Sequence, residues 1–154
     1  MNEALKPGFS DCNNATLRRA ARSLGRFYDD ALAPSGLKST QFGLIFQIHI
    51  SDEPAMGAIA EALIMDLSAL GHTLKPLIRD GYVETFPDKD DRRVKRVRLT
   101  PQGEAKLDEA LKLWSLAQRQ FEAKVGVEQA AKLRAALDAV AELDLQMPTA
   151  APSS

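Results

Sequence analysis

The stretch "DKDDRRVKRVRLTPQGE", residues 88–104, decides how the rest of the chain is read. From Lys89 to Arg98 it sets Lys89, Arg92, Arg93, Lys95, Arg96 and Arg98 against only Asp90 and Asp91. That is a local excess of four positive charges in a chain of net charge −1. Val97 and Leu99 alternate with Arg96 and Arg98, so one face is apolar and the other cationic, the period-two pattern of a half-buried strand. Upstream, "DGYVETF" (80–86) reads as a turn and another strand, with Gly81 ending the helix before it. The two strands and the polar turn between them make a hairpin with a charged tip. Pro101 then opens a long helix, at a position where its missing N–H has no intrahelical partner to lose.

Working back from the hairpin, the spacing predicts a helix from the turn at Ile64–Asp66 to about Asp80. At 100° per residue, Leu70, Leu74, Leu77 and Ile78 gather on one side, and Ser68, His72, Lys75 and Arg79 on the opposite side. Pro76 lies inside this helix; there it costs about 3 kcal/mol in isolation, and propensity alone would end the helix at Lys75. A short helix over about Met56–Leu63 precedes the turn. Before that, Ser39–Ile50 is apolar nearly all round, through Phe42, Leu44, Ile45, Phe46, Ile48 and Ile50, and is expected to be buried. Ala15–Leu32 repeats apolar residues at helical spacing, with Arg18, Arg19, Arg22 and Arg26 between them and "APSG" as its stop.

Downstream, Pro101 to about Lys124 places Leu107, Leu111, Trp114, Phe121 and Val125 on a coiled-coil-like seam. A last helix, about Glu128–Leu145, repeats the idea with Leu133, Leu137, Val140 and Leu143. The helices at the two ends of the chain bury more surface by meeting a second copy. A homodimer is expected, with Leu17, Leu24, Leu111, Trp114, Phe121, Leu133 and Leu137 at its interface.

Composition bounds the rest. With 154 residues, 45% hydrophobic and 27% charged, the chain is one ordinary soluble domain by size. The single cysteine, Cys12, excludes an internal disulfide. With only His49 and His72 beside it no zinc site is expected, nor any other metal or cofactor. No apolar run approaches membrane-spanning length and "MNEALKPGFSD" lacks a signal-peptide pattern, so a cytoplasmic address is expected. The tail "MPTAAPSS" (147–154) reads as disordered.

Helix, tight turn, helix and basic hairpin, in that order, make a winged helix-turn-helix module. The fold class is therefore mainly α with a small β-hairpin wing (α+β). Residues 1–36 form an N-terminal arm and dimerisation helix, 37–100 the winged lobe, 101–146 C-terminal dimerisation helices and 147–154 the tail. The polar flank of the helix before the hairpin offers donors to base edges and phosphates. Outward positions on the hairpin are nearly all cationic, which is self-repulsive unless a polyanion such as duplex DNA offsets it. A second reading is an interaction module whose basic hairpin docks an acidic protein. Catalysis is the poorest reading: no G-x-S-x-G, P-loop or G-x-G-x-x-G occurs, and Asp90–Asp91 belongs to a turn.

These segments resemble the MarR family of bacterial winged-helix repressors. "LKSTQFGLIFQI" looks like that family's second helix, and "AIAEALIMDLSALGHTLKPLIRDGYVE" like its helix-turn-helix with the first wing strand. "DDRRVKRVRLTPQGE" carries its wing pattern at Asp91, Arg93, Leu99 and Thr100, the most specific part of a likeness covering roughly residues 15–145. The resemblance implies a dimeric repressor whose recognition helices enter successive major grooves of a pseudo-palindromic operator. Ser68, His72 and Lys75 fall on recognition positions, with Gly71 beside them and Arg79 on the same flank. Arg93 falls on the arginine that enters the minor groove, flanked by Arg92 and Lys95, and Asp91 on the acidic residue that braces the wing. Two departures stand out: Leu67 replaces a common arginine, and Ile64 occupies a turn position where glycine is frequent. Some relatives also carry a Lys-Pro pair where Lys75 and Pro76 stand, which implies a kinked helix rather than an absent one.

Relatives release DNA when a small aromatic or phenolic ligand enters a crevice, for which Arg26, Phe46 and His49 are the lining candidates. Against that, a histidine on an apolar helix is more often a satisfied core residue, and the plainer reading of Arg22 and Arg26 is pairing with Asp29 and Asp30 at helical spacing. Cys12 is a candidate oxidant sensor, although the cysteine of peroxide-sensing relatives falls on Asn14. One of their tyrosines matches Tyr28 and the other falls on Arg18.

Overall fold

The computed structural model of the protein describes residues 11–145; the tail read as disordered, 147–154, lies outside them. Helical periodicity gives α1 (Asn13–Leu32), ended by a 3-10 turn over Ala33–Ser35 that Gly36 closes at φ 77°. Helices α2 (Ser39–Ser51), α3 (Met56–Ala62) and α4 (Leu67–Arg79) follow, then strands β1 (Val83–Pro87) and β2 (Lys95–Leu99), then α5 (Pro101–Val125) and α6 (Val127–Ala141). The fold is mainly helical with one antiparallel hairpin, as the sequence predicts. The last helix stops at Ala141, short of Leu145. The Leu143 N–H turns back to the Val140 carbonyl (3.3 Å), an i→i−3 bond that tightens and closes the final turn.

The chain divides into two compact units, with the boundary inside α5 between Ala117 and Gln118. In the first, Leu32, Ile45, Ile59, Leu74, Val83, Val97 and Leu107 carry every helix and both strands into one buried cluster. Side chains of this size contribute about 1.5–3 kcal/mol each on burial. In the second, Ala130 is buried, whereas Leu133, Leu137 and Val140 of α6 are exposed. No helix among the described residues is long and apolar enough to cross a membrane.

Two burial expectations change. In α2, Phe42, Leu44, Ile45 and Ile48 are buried, but Phe46 and Ile50, one turn apart on one flank, are exposed among the described residues. In α4, Leu70, Leu74 and Leu77 are buried while Ile78 is 40% exposed. The buried stripe follows i, i+4, i+7 spacing, and Ile78 falls at its edge, about 100° round from Leu77. Helix α4 runs through Pro76 to Arg79, flanked by two of its buried leucines.

The turn into α4 is tight: Met65 N–H reaches the Ala60 carbonyl at 2.8 Å, and Ile64 takes a left-handed φ of 51°. Asp66 then caps the helix, accepting the Ala69 N–H at 2.7 Å. At its other end Gly81, at φ 78°, turns the chain into β1. The hairpin pairs Val83 with Leu99 through to Pro87 with Lys95. Its second strand is also bonded to the α2–α3 loop, Val97 N–H to the Pro54 carbonyl at 3.0 Å.

The junction "LTPQG" explains itself physically. Thr100 Oγ1 donates to the Gly81 carbonyl (2.6 Å) and accepts the Gly103 N–H (3.0 Å), while Thr100 N–H bonds the Tyr82 carbonyl (3.0 Å). One threonine thus joins the end of α4, the base of the hairpin and the start of α5. Gly103 is there because a Cβ would lie 1.9 Å from the Tyr82 carbonyl oxygen.

Candidate nucleic-acid interface

The α4 flank opposite the core presents Ser68, His72, Lys75 and Arg79 to solvent, as the helical wheel requires, with Gly71 half-buried among them. An open concavity of about 600 Å³ runs along the leading half of this flank, lined by Asp66, Leu67, Ser68, Ala69, Gly71, His72 and Lys75. A neighbouring one joins His72, Thr73, Lys75, Pro76 and Arg79 to Lys38, Thr40 and Gln41 at the start of α2. Those three α2 residues have no signal in the sequence, because their nearness to α4 is tertiary. His72 and Lys75 have no ion-pair partner among the described residues. Arg79 does: its Nε meets Asp80 Oδ1 at 2.8 Å, which raises its pKa and lowers that of Asp80.

The wing tip is organised by Asp88. Its Oδ1 accepts the N–H groups of Asp90 (2.8 Å) and Asp91 (3.1 Å), and its Oδ2 accepts Arg96 Nε. The Arg96 guanidinium first, then these N–H groups, hold the Asp88 carboxyl at about 2. Arg96 also donates from Nη1 to the Glu53 carbonyl at 2.9 Å, tying the wing to the α2–α3 loop. Arg98 lies over the Phe86 ring, 4.7 Å from its centroid, and meets Glu84 at 2.6 Å and Glu53 at 3.2 Å.

This corrects the expectation of an uncompensated cationic face. Arg96 and Arg98 are neutralised within the protein by Asp88, Glu84 and Glu53. The Glu84 contact follows from register, since Glu84 stands opposite Arg98. Asp88 has a turn-forming signature in "PDKD". Glu53, 45 residues from Arg98, has none. Lys89, Arg92 and Lys95 remain exposed and unpaired among the described residues. Arg93 is 91% exposed in its side chain and donates to Asp91 from its backbone N–H (3.0 Å), Nε (3.0 Å) and Nη2 (2.9 Å). That pairing lowers the Asp91 pKa.

The residues considered for a ligand crevice line three separate concavities. Arg26 stands with Arg19 and Arg22 on α1, Phe46 with Phe42, Leu111 and Trp114, and His49 with Asp52, Glu53, Arg98 and Glu104. His49 is not a core histidine: it is exposed, and its Nδ1 lies 2.9 Å from Glu104 Oε2. Asp29 does not serve Arg22 or Arg26. It accepts the Ser39 N–H at 2.7 Å, chiefly for which its pKa is lowered, and lies 3.8 Å from Lys38. Cys12 is exposed at the N-cap of α1, its Sγ accepting the Ala15 N–H at 3.5 Å. Of the residues assigned to a dimer interface, Leu17, Leu133 and Leu137 are exposed, and Leu24, Leu111, Trp114 and Phe121 half-buried.

Comparison with known proteins agrees with this geometry. Residues 45–103 match the winged helix DNA-binding domain model. The chain is 31% identical over 80 residues to the multiple antibiotic resistance protein MarR of Salmonella typhimurium, a match covering 52% of this chain and 56% of that protein. It thus spans about half the length of the curated relatives it matches. Among solved structures, the transcriptional regulator MosR of Mycobacterium tuberculosis is 36% identical, with 88% of this chain and 98% of that one covered at a TM-score of 0.73. MosR has also been solved in complex with DNA (34% identity, TM-score 0.71, 86% and 99% covered). The transcriptional repressor CouR, bound to a 23-mer DNA duplex, shares the fold at a TM-score of 0.80 and 22% identity, with 86% and 94% covered.

Proposed function

Because this chain belongs to the MarR family of winged helix-turn-helix transcriptional regulators, we propose that it is a homodimeric repressor binding a pseudo-palindromic operator in the cytoplasm. Helix α4 acts as the recognition helix, through Ser68, Gly71, His72 and Lys75, with Arg79 at its trailing end. Arg93 enters the minor groove, where negative potential is concentrated, and Arg92 and Lys95 meet phosphates. Asp91 braces the wing. The observation carrying this reading is that, among the described residues, Lys75 on the α4 flank and Lys89, Arg92 and Lys95 on the wing are exposed with no ion-pair partner, while Arg96 and Arg98 are neutralised internally.

The segments 1–36 and 101–146 supply the dimer contacts, supported by the exposed Leu17, Leu133, Leu137 and Val140. A small aromatic effector releases the DNA. The concavity of Phe42, Phe46, Leu111 and Trp114, about 160 Å³, is apolar and of a size that accepts one aromatic ring. Selection of duplexes from a random pool, followed by sizing of the complex, tests the reading: a discrete complex of two protomers per duplex is expected. A protein that selects no sequence, and forms a discrete complex only with an acidic protein, contradicts it.

A further inference from the structure

Leu67 is the first residue of α4 and is 57% exposed, although it is large and apolar. Its spacing, i, i+3 and i+7, puts it in the row of Leu70 and Leu74, yet in the first turn of α4 it stays uncovered. It lines the same open concavity as Ser68, Gly71, His72 and Lys75. Its place is fixed by the Asp66 cap, whose carboxylate holds the Ala69 N–H at 2.7 Å. An uncovered leucine at the edge of a nucleic-acid-binding flank, sharing its concavity, calls for an apolar feature on the nucleic acid.

The leading residues of a recognition helix are those that reach base edges. Leucine has no donor or acceptor, so it is blind to the hydrogen-bonding pattern of the major groove. The one apolar group on those edges is the C5-methyl of thymine. We propose that Leu67 is a specificity-determining residue that packs against a thymine methyl group in each operator half-site. This inference rests on the DNA-binding reading above and adds to it one position of the operator. Ser68, His72 and Lys75 supply the polar contacts around it.

The test uses the full-length protein and its selected operator. Each thymine is replaced singly by deoxyuridine, which removes the methyl group and leaves base pairing unchanged. Dissociation constants are measured for the natural chain, Leu67→Ala and Leu67→Met. At one thymine, or two adjacent ones, per half-site, loss of the methyl weakens the natural protein about fourfold, the value of one buried methyl group. Leu67→Ala binds the thymine and uracil duplexes alike, and Leu67→Met keeps most of the difference. Because Leu67 is exposed, both variants fold, which circular dichroism checks. Tight binding that is indifferent to uracil at every thymine overturns the inference alone, as does an operator without thymine or an unchanged methyl preference in Leu67→Ala. Failure to bind any duplex overturns the DNA-binding reading and this inference together.

Discussion

Arg96 and Asp88 are joined side chain to side chain across the base of the wing tip, Nε to Oδ2, and Arg96 Nη1 reaches the Glu53 carbonyl at 2.9 Å. An arginine that strand alternation turns away from the core is therefore held within the protein. Asp88 holds the two N–H groups that shape the turn, and Arg96 anchors that turn to the α2–α3 loop. The wing is presented as a fixed object, so less ordering remains to be imposed when it meets a partner.

Asp88→Asn is expected to loosen the wing and to weaken operator binding several-fold while leaving helix content unchanged. Its effect on stability depends on pH with a definite sign. The Asp88 carboxyl lies at about 2, below its ordinary 3.8, because Arg96 and then the N–H groups of Asp90 and Asp91 favour its charged form. The stabilisation is complete above the ordinary value and is lost as pH falls through the folded one. Thermal melts of both proteins check this: the gap between them holds down to about pH 4 and closes between about pH 4 and pH 2. A gap that persists at the acid end contradicts the assignment.

Gly103→Ala places a Cβ 1.9 Å from the Tyr82 carbonyl oxygen. Backbone must move to relieve that contact, in the segment where Thr100 joins α4, the hairpin and α5. Destabilisation of about 1–3 kcal/mol is expected, measured by urea denaturation. A change below a few tenths would mean the junction yields freely.

Ile64→Gly acts in the opposite direction. Ile64 is β-branched, 72% exposed and held at φ 51°, a left-handed conformation that costs an L-residue roughly 1–2 kcal/mol. Glycine removes that strain and returns part of the gain as chain entropy. A net stabilisation of up to about 1 kcal/mol is expected in the same denaturation experiment.

Leu133→Glu combined with Leu137→Glu tests the dimer. Both leucines are exposed on α6, so the substitutions leave the single chain's core untouched. Sedimentation equilibrium is expected to show a monomer, with operator affinity lowered by orders of magnitude because two half-sites are no longer linked. A dimer that survives the change places the interface elsewhere.

Much of the fold was legible because its signals are local. The alternation of Val97 and Leu99 with Arg96 and Arg98, the stop at Gly81 and the start at Pro101 each rest on a few neighbouring residues, and all three hold. What sequence did not show depends on residues far apart along the chain. Glu53 meets Arg96 and Arg98 only because the α2–α3 loop crosses the hairpin, and so the wing looked more cationic than it is. His49, read as a core residue from its apolar neighbours, meets Glu104 at the surface instead. Phe46 and Ile50 sit on the exposed flank of α2, which apolar character all round could not single out. At the candidate site, helical spacing placed the α4 flank correctly, whereas Lys38, Thr40 and Gln41 needed the packing of α2 beside α4 to come into view.

The most direct test of the account is the salt dependence of operator affinity, measured for the natural protein and for Arg93→Ala on the same selected duplex. Phosphate neutralisation by the wing and the α4 flank makes log K fall linearly with log salt, and removal of Arg93 is expected to weaken binding and to reduce the slope by about one. Affinity indifferent to salt, or the same affinity and slope in both proteins, would contradict a wing that grips the duplex.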